Sequence, residues 1–303
     1  MRIVFMGTPD FAVASLDILV QNGYNIVGVI TAPDKPAGRG NQIQQSAVKK
    51  YAVAHNLRVL QPEKLKAPSF LEELKDLNAD LQIVVAFRML PELVWNMPPR
   101  GTFNLHGSLL PAYRGAAPIN WAVMNGETKT GVTTFFLQHE IDTGSIIHQA
   151  TMPIGPDENT GDVHDRMMVL GAKTVLQTVK EIAQGKVKAT PQDMTGDYPH
   201  APKIFRDDCK IDWDQPLDKV YNHIRGLSPY PAAWTELDGK TLKIYQAKKE
   251  SASHTHTNGS IDTDGKTYLK FAVSGGYIYA EELQLEGKKR LAVRDFLLGW
   301  RKS

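Results

Sequence analysis

Short apolar runs alternate with helix-like segments through the first 184 residues of this chain. Buried-strand patterns cover residues 2–7, 26–30, 81–87, 102–105 and 131–137, and helical patterns cover residues 10–22, 46–56, 69–77, 116–125 and 161–184. Strands that alternate with helices predict a mainly parallel sheet with helices on both faces. We therefore predict an α/β fold whose first domain, residues 1–188, is Rossmann-like. Ligands of such sheets bind beyond the carboxyl ends of the strands, so a site is expected there.

The last hundred residues show a different pattern. Residues 189–205 contain prolines, a glycine and little periodicity, which predicts a linker. Beyond it, one helix-like segment precedes short strand-like runs that are joined by Asp-Gly and Gly-Gly pairs at 238–239, 264–265 and 275–276. Such pairs between strands predict hairpins. We therefore predict that residues 206–303 form a small OB-like β-barrel.

Charge and cysteine content narrow the class of protein. A net charge of only +2 gives no overall field for nucleic acid, so any contact with an anionic polymer must come from local patches. The single cysteine, Cys209, excludes an internal disulfide and a multi-cysteine metal site, and it fits a reducing compartment. No secretory leader pattern and no apolar run of roughly 18 residues is present. We expect a cytoplasmic protein without a membrane segment.

Three polar side chains of different chemistry stand out against this background. Asn104 and His106 lie at the end of a predicted strand, two residues apart and hence on one face, and Asp142 follows another strand. A histidine alone is more often a satisfied core residue. Together, however, an amide that donates to an oxyanion, an imidazole that accepts a proton and a carboxylate partner suit acyl transfer without a covalent intermediate.

Longer motifs surround these side chains. They read Gly7-Thr-Pro-Asp-Phe11, Pro33-Asp-Lys-Pro-Ala-Gly-Arg-Gly40, Ser108-Leu-Leu-Pro-Ala-Tyr-Arg-Gly115, Asp142-Thr-Gly144, Ile211-Asp-Trp213 and Arg225-Gly-Leu-Ser-Pro-Tyr-Pro231. In these motifs the chain resembles the folate-dependent formyltransferases, and within them the enzymes that act on methionyl-tRNA. The resemblance implies transfer of the formyl group of 10-formyltetrahydrofolate to the α-amine of methionine on initiator tRNA. It also implies that no metal takes part and that the protein is a monomer.

The family motif assigns roles to individual residues of this chain. By resemblance, Asn104, His106 and Asp142 are the catalytic trio. The same comparison assigns the folate-binding loop to Ser108, Leu109, Leu110 and Pro111. One stretch departs from the family, which usually carries an Ala-Tyr-Gly-like sequence where this chain has Ala86-Phe87-Arg88-Met89. A glycine position that tolerates positive φ has become Arg88, so backbone contacts to the pterin ring are expected to differ.

Contacts to RNA are expected from two basic regions. In the family, the loop over residues 32–45 reaches the acceptor stem, and here it carries Lys35 and Arg39. Cations on a loop of low periodicity suit phosphate contact. The carboxyl-terminal domain carries the pair Lys248 and Lys249, which we expect on a strand end or turn of the barrel.

Three other functions are weighed against this one. A formyltransferase that acts on a small amine would share the trio but would leave the 33–40 loop and the last hundred residues unused. A non-catalytic RNA-binding protein would not need the trio. A nicotinamide dehydrogenase would need the GxGxxG fingerprint, which is missing after the first strand, where Pro9 also removes a backbone donor.

Overall fold

A computed structural model describes residues 1–37 and 42–300 of the protein. Its residues group into two compact units. Unit 1 comprises Met1–Arg114, Gly131–Met152 and Asp165–Pro199, and unit 2 comprises Gly115–Thr130, Pro153–His164 and the chain from His200 onward. Because the units are interleaved along the chain, the domain boundaries at 188 and 206, which follow sequence order, stay a prediction.

The helices and strands alternate through the first 183 residues. In chain order they are β1 (Arg2–Gly7), α1 (Asp10–Gln21), β2 (Asn25–Ile30), β3 (Lys35–Ala37), β4 (Gln42–Gln44), α2 (Ala47–Ala54), β5 (Val59–Leu60), α3 (Pro68–Asp76), β6 (Leu81–Val85), α4 (Glu92–Trp95), β7 (Thr102–His106), β8 (Arg114–Gly115), α5 (Pro118–Met124), β9 (Lys129–Phe136), β10 (Ile146–Pro153) and α6 (Thr160–Ala183).

The remaining elements are mostly strands. They are β11 (His200–Ala201), a 3-10 turn (Asp207–Cys209), α7 (Leu217–Leu227), β12 (Ala233–Leu237), β13 (Lys240–Ser251), β14 (Ile261–Thr263), β15 (Leu269–Val273), β16 (Gly276–Leu285), β17 (Leu291–Ala292) and α8 (Val293–Gly299).

A seven-stranded sheet forms the centre of unit 1, in the order β10-β9-β7-β6-β1-β2-β5. The five strands from β7 to β5 in this order are parallel, whereas β9 runs antiparallel to β7. Consecutive residues of β1, from Ile3 to Met6, are fully buried. Because successive side chains of a strand point to opposite faces, both faces of the sheet are covered. The predicted Rossmann-like, mainly parallel sheet is confirmed.

Two helix starts show how local sequence sets the boundaries. The hydroxyl of Ser46 accepts a hydrogen bond from the Lys49 N–H at 3.0 Å and caps α2. Helix α3, whose helical pattern covers residues 69–77, begins at Pro68 with Ala67 as its N-cap. Proline suits the first helical position, since its fixed φ matches the helix and its missing N–H would have no partner there.

An antiparallel sheet of order β12-β13-β16-β15-β14, with β17 paired to β16, dominates unit 2. The predicted hairpin at 238–239 is present, and both Asp238 and Gly239 have positive φ, at 50° and 71°. One face of the sheet packs with α7 into a buried apolar cluster that includes Leu242, Phe271 and Ile278. The sheet is a curled antiparallel half-barrel, which confirms the predicted small β domain.

Within the described ranges, no helix combines the length and the apolar content that crossing a membrane would require.

Candidate active site

Strand β7 brings two of the predicted residues to the carboxyl edge of the unit 1 sheet. Asn104 pairs with Val84 of β6 and with Phe135 of β9 through the backbone, and His106 is the last residue of the strand. Their spacing of two places both side chains on the same face. His106 is buried, at 6% exposure, whereas Asn104 is half-buried. Within the described part of the chain, the Asn104 carboxamide makes no hydrogen bond, so its N–H donors are available to a ligand.

The two ring nitrogens of His106 have different neighbours. Nε2 lies 2.8 Å from the carbonyl oxygen of Tyr113, and Nδ1 lies 3.9 Å from Oδ2 of Asp142. A carbonyl oxygen only accepts, so Nε2 carries the proton and donates it to Tyr113. It follows that Nδ1 is the nitrogen that can gain or lose a proton, and that it does so facing a carboxylate. The tautomer is therefore set by the backbone carbonyl of Tyr113.

A tight turn holds Tyr113 in place. Its φ is +60°, in the left-handed region, and its N–H donates to the Pro199 carbonyl at 2.6 Å. Just before it, the Ser108 hydroxyl donates to the Ala112 carbonyl at 2.7 Å. The backbone carbonyl that fixes the His106 tautomer is thus itself fixed from both sides. Sequence reasoning did not identify this role of Tyr113, because the residue acts through its backbone carbonyl and its side-chain type does not indicate such a contact.

The loop between β9 and β10 carries Asp142. Because β9 runs antiparallel, its last residue, Phe136, lies beside the start of β7, and the loop must turn back to bring Asp142 to His106. Asp142 has a φ of +56°, a conformation that aspartate tolerates better than most residues. Gly144 passes so close to the Phe136 carbonyl oxygen that a Cβ would lie 1.6 Å from it. The shape of the loop therefore requires glycine at position 144 and is compatible with aspartate at position 142.

Residues predicted to form the folate-binding loop are partly occupied by contacts within the protein. Ser108 and Leu110 are buried, while Leu109 and Pro111 are partly exposed. Oγ1 of Thr133 donates to the Ser108 carbonyl at 2.7 Å and accepts from the Leu110 N–H at 3.1 Å. Leu109 and Pro111 are therefore the members of this loop with exposed surface. Their role, like that of the whole Ser108–Pro111 loop, stays a prediction.

In the stretch that departs from the family, the residue with positive φ is not at position 88, where the family motif has its glycine. Ala86 has the positive φ, at 46°, whereas Arg88 is not among the residues with positive φ. Arg88 donates through Nη1 to the Glu63 carbonyl at 2.8 Å and through Nη2 to the Pro62 carbonyl. Partial burial lowers the pKa of its guanidinium. Arg88 therefore joins the loop after β6 to the loop after β5.

The four cationic residues predicted to bind RNA differ in whether a carboxylate already pairs with them. Lys35 is exposed on β3, and Arg39 lies outside the described residues. Lys248 forms an ion pair with Glu281 at 2.5 Å, and Lys249 forms one with Asp218 at 2.5 Å. Both lysines would have to exchange a carboxylate for a phosphate.

The base of the β3–β4 hairpin is held by partly buried polar contacts. Lys49 pairs with Asp34 at 2.5 Å, and Gln61 donates to the same carboxylate at 2.8 Å. Hydrogen bonds from Lys49 and Gln61 lower the pKa of Asp34. Lys49 is thus committed to the hairpin base. As to metals, the side chains of residues 1–37 and 42–300 include no group of three or more His, Cys, Asp or Glu that could hold an ion.

Comparisons with known proteins cover almost all of the chain. The sequence model described as formyl transferase matches residues 1–179, and the one described as formyl transferase, C-terminal domain, matches residues 203–301. Methionyl-tRNA formyltransferase of Parabacteroides distasonis is 60% identical over 311 residues, covering 99% of this chain and 96% of that protein. The protein of the same name from Flavobacterium johnsoniae is 56% identical, covering 99% of this chain and 96% of its own length.

Solved structures share the fold at low identity. The N-formyltransferase from Helicobacter canadensis, in complex with folinic acid and dTDP-3-aminofucose, aligns with a TM-score of 0.70 at 20% identity, covering 92% of this chain and 98% of that one. HypX from Aquifex aeolicus, in complex with tetrahydrofolic acid, aligns with a TM-score of 0.68 at 19% identity, covering 98% of this chain and 47% of that one.

Proposed function

The chain belongs to the formyl transferase family, and we propose that it transfers the formyl group of 10-formyltetrahydrofolate to the α-amine of methionine carried by initiator tRNA. Relatives named methionyl-tRNA formyltransferase support this acceptor, because they match both units at 55 to 60% identity. The observation that carries the chemistry is the meeting of Asn104, His106 and Asp142 at one sheet edge, with the Asn104 amide uncommitted within the described part of the chain.

The reaction exchanges one carbon–nitrogen bond for another. The neutral α-amine attacks the formyl carbon and forms the new C–N bond, while the formyl oxygen becomes an oxyanion. The tetrahedral intermediate then collapses, and the bond between the formyl carbon and N10 of the folate breaks. The attacking nitrogen loses one proton and N10 gains one, so the products are the formylated methionyl ester and tetrahydrofolate.

Asn104 is proposed to stabilise the oxyanion. Its carboxamide is half-buried at the strand end, and its N–H groups have no other acceptor among the residues that the structure describes. A donor placed at such a position is typically worth about 3 kcal/mol in the transition state.

His106 is proposed to carry the proton through Nδ1. Since Nε2 already donates to Tyr113, only Nδ1 can accept a proton from the attacking amine and return one to the leaving N10. The Asp142 carboxylate, 3.9 Å away, favours the imidazolium formed in between. The separation between Nδ1 and Oδ2 is longer than a hydrogen bond, so Nδ1 remains available for proton exchange with the substrate.

Lys35 and Arg39 are proposed to contact the phosphates of the acceptor stem. Lys35 is exposed beside the firmly held hairpin base. Lys248 and Lys249 are proposed as weaker contacts, because each already has an acidic partner. The folate is proposed to lie along the loop from Ser108 to Pro111.

A direct assay tests the proposal. The purified protein is mixed with 10-formyltetrahydrofolate and methionyl initiator tRNA, and formylmethionine is measured after release from the tRNA. We expect product with this acceptor and much less with methionyl elongator tRNA, which carries the same amino acid. A dTDP-amino sugar is the competing acceptor. Absence of formylmethionine with active folate, or faster turnover of the sugar, would reject the function.

A further inference from the structure

The segment from Thr190 to Pro199, which the sequence predicts to be a linker, is bound to unit 1. Thr190 and Ile146 exchange two backbone hydrogen bonds, each of 2.8 Å, at the start of β10. The segment belongs to the same compact unit as the sheet. Two of its residues, Gln192 and Pro199, contact the backbone of the turns beside Asp142 and His106.

Gln192 contacts the loop of Asp142. Its Nε2 donates to the carbonyl oxygens of Asp142, at 2.8 Å, and Gly144, at 2.9 Å. A carboxamide nitrogen has two protons, so both donors are used. The orientation of the amide is settled by its surroundings, because the flipped amide would place an oxygen against two carbonyl oxygens. Gln192 is buried, at 9% exposure.

These two hydrogen bonds fix the backbone on both sides of Thr143. Asp142 adopts a left-handed φ of +56°, which is unfavourable for a residue with a side chain unless its surroundings hold it. Holding the Asp142 carbonyl fixes the peptide plane that follows Asp142, one of the two planes that set the direction of its side chain, and holding the Gly144 carbonyl fixes the end of the same loop. That direction decides whether the carboxylate faces Nδ1 of His106.

Pro199 supports His106 through the backbone of Tyr113. Its carbonyl accepts from the Tyr113 N–H at 2.6 Å, and the Tyr113 carbonyl accepts from Nε2 of His106 at 2.8 Å. One segment of ten residues therefore supports the backbone behind both the imidazole and the carboxylate.

We propose that Gln192 is a positioning residue for formyl transfer, which acts by holding the Asp142 carboxylate toward His106. The inference rests on the proposed function. Gln192 touches neither substrate nor reacting atoms in this scheme; its whole effect passes through Asp142. Its loss should therefore slow the chemical step and leave substrate binding unchanged.

The test compares Gln192→Met with wild type in single-turnover formylation of methionyl initiator tRNA. Methionine keeps the length of the side chain and removes both donors. Displacement of a catalytic group by about 1 Å costs on the order of 100-fold, so we expect kcat to fall by 10- to 100-fold. KM for tRNA and for 10-formyltetrahydrofolate should stay within twofold of wild type. Gln177→Met, at an exposed glutamine of α6 whose amide donates to Glu181, is the matched control and should leave kcat unchanged.

A double mutant separates positioning from general stability. If Gln192 acts only through Asp142, adding Gln192→Met to Asp142→Ala should lower kcat no further. Additive losses, or an unchanged kcat in Gln192→Met, would overturn the proposal. Should Gln192→Met unfold, Gln192→Asn, whose shorter amide cannot reach both carbonyls, should give the same loss of kcat with native circular dichroism. Inactive wild-type protein would instead overturn the proposed function.

Discussion

Replacing Gly144 with alanine should disable the site through one methyl group. Gly144 has no positive φ, so alanine adds no backbone strain there. The new Cβ would lie 1.6 Å from the Phe136 carbonyl oxygen, and real Cβ atoms essentially never approach closer than 3.0 Å. The two atoms must therefore separate by roughly 1.4 Å. Asp142 lies two residues away on the same short loop, and its 3.9 Å approach to His106 would be lost.

The expected loss can be given a magnitude. A 1 Å displacement of a catalytic group costs about 100-fold in rate, or about 2.7 kcal/mol of activation free energy. We expect Gly144→Ala to lower kcat at least 100-fold at saturating tRNA and folate. The clash involves only the last residue of β9 and the loop that follows it. The melting temperature should therefore fall by only a few degrees, as expected for about 1 kcal/mol.

A single-turnover formylation assay and a thermal melt measure both quantities on the same sample. Gly299→Ala is the control, because a Cβ at Gly299 would meet no atom within 4 Å. A Gly144→Ala protein with kcat within twofold of wild type would refute the proposed role of Asp142. A global loss of structure would instead contradict the expectation that the effect of the clash stays local.

Three further predictions concern the oxyanion donor and the RNA contacts. Asn104→Ala should lower kcat by 100- to 1,000-fold with a native melt, since the amide is expected to act in the transition state; a rate near wild type in single-turnover assays would contradict this. Hydrogen bonding lowers the pKa of Asp34, so its stabilising contribution is present above the unfolded pKa of about 3.9 and is lost as pH falls through the folded value. Asp34→Asn removes the ion pair with Lys49 that holds the base of the β3–β4 hairpin. It should therefore raise KM for tRNA several-fold at pH 7 and leave KM for folate unchanged. Lys35→Ala should weaken tRNA binding and reduce the slope of log affinity against log salt by about 1, whereas Lys248→Ala, whose lysine is already ion-paired, should change the slope less. Equal slopes for the two variants, measured by filter binding, would remove that distinction.

Local patterns were enough to predict the sheet and part of its edge. Continuous apolar runs gave β1, β6 and β7 nearly to their ends, and the spacing of Asn104 and His106 on β7 placed both on one face. The Asp-Gly pair at 238–239 gave a hairpin because that turn needs two residues of positive φ. In each case the deciding interactions lie within a few residues of one another.

The features that sequence reasoning missed depend on distant parts of the chain. β10 was not predicted, because its sequence from Ile146 to Pro153 mixes buried and exposed residues and gains its pairing from β9. The direction of β9 has no local signal either. Tyr113 acts through a backbone carbonyl, and Gln192 lies about fifty residues from the loop that it holds. No propensity or spacing rule connects such positions.

The attachment of residues 190–199 to the sheet affects how this protein can be divided. A fragment ended at residue 188 would retain the amide, the imidazole and the carboxylate, yet it would discard the glutamine and the proline carbonyl behind them. Weak activity in such a fragment would then follow from loss of these backbone contacts. It would not show that the carboxyl-terminal β domain is needed for catalysis. A catalytic fragment of this chain should therefore extend at least through Pro199.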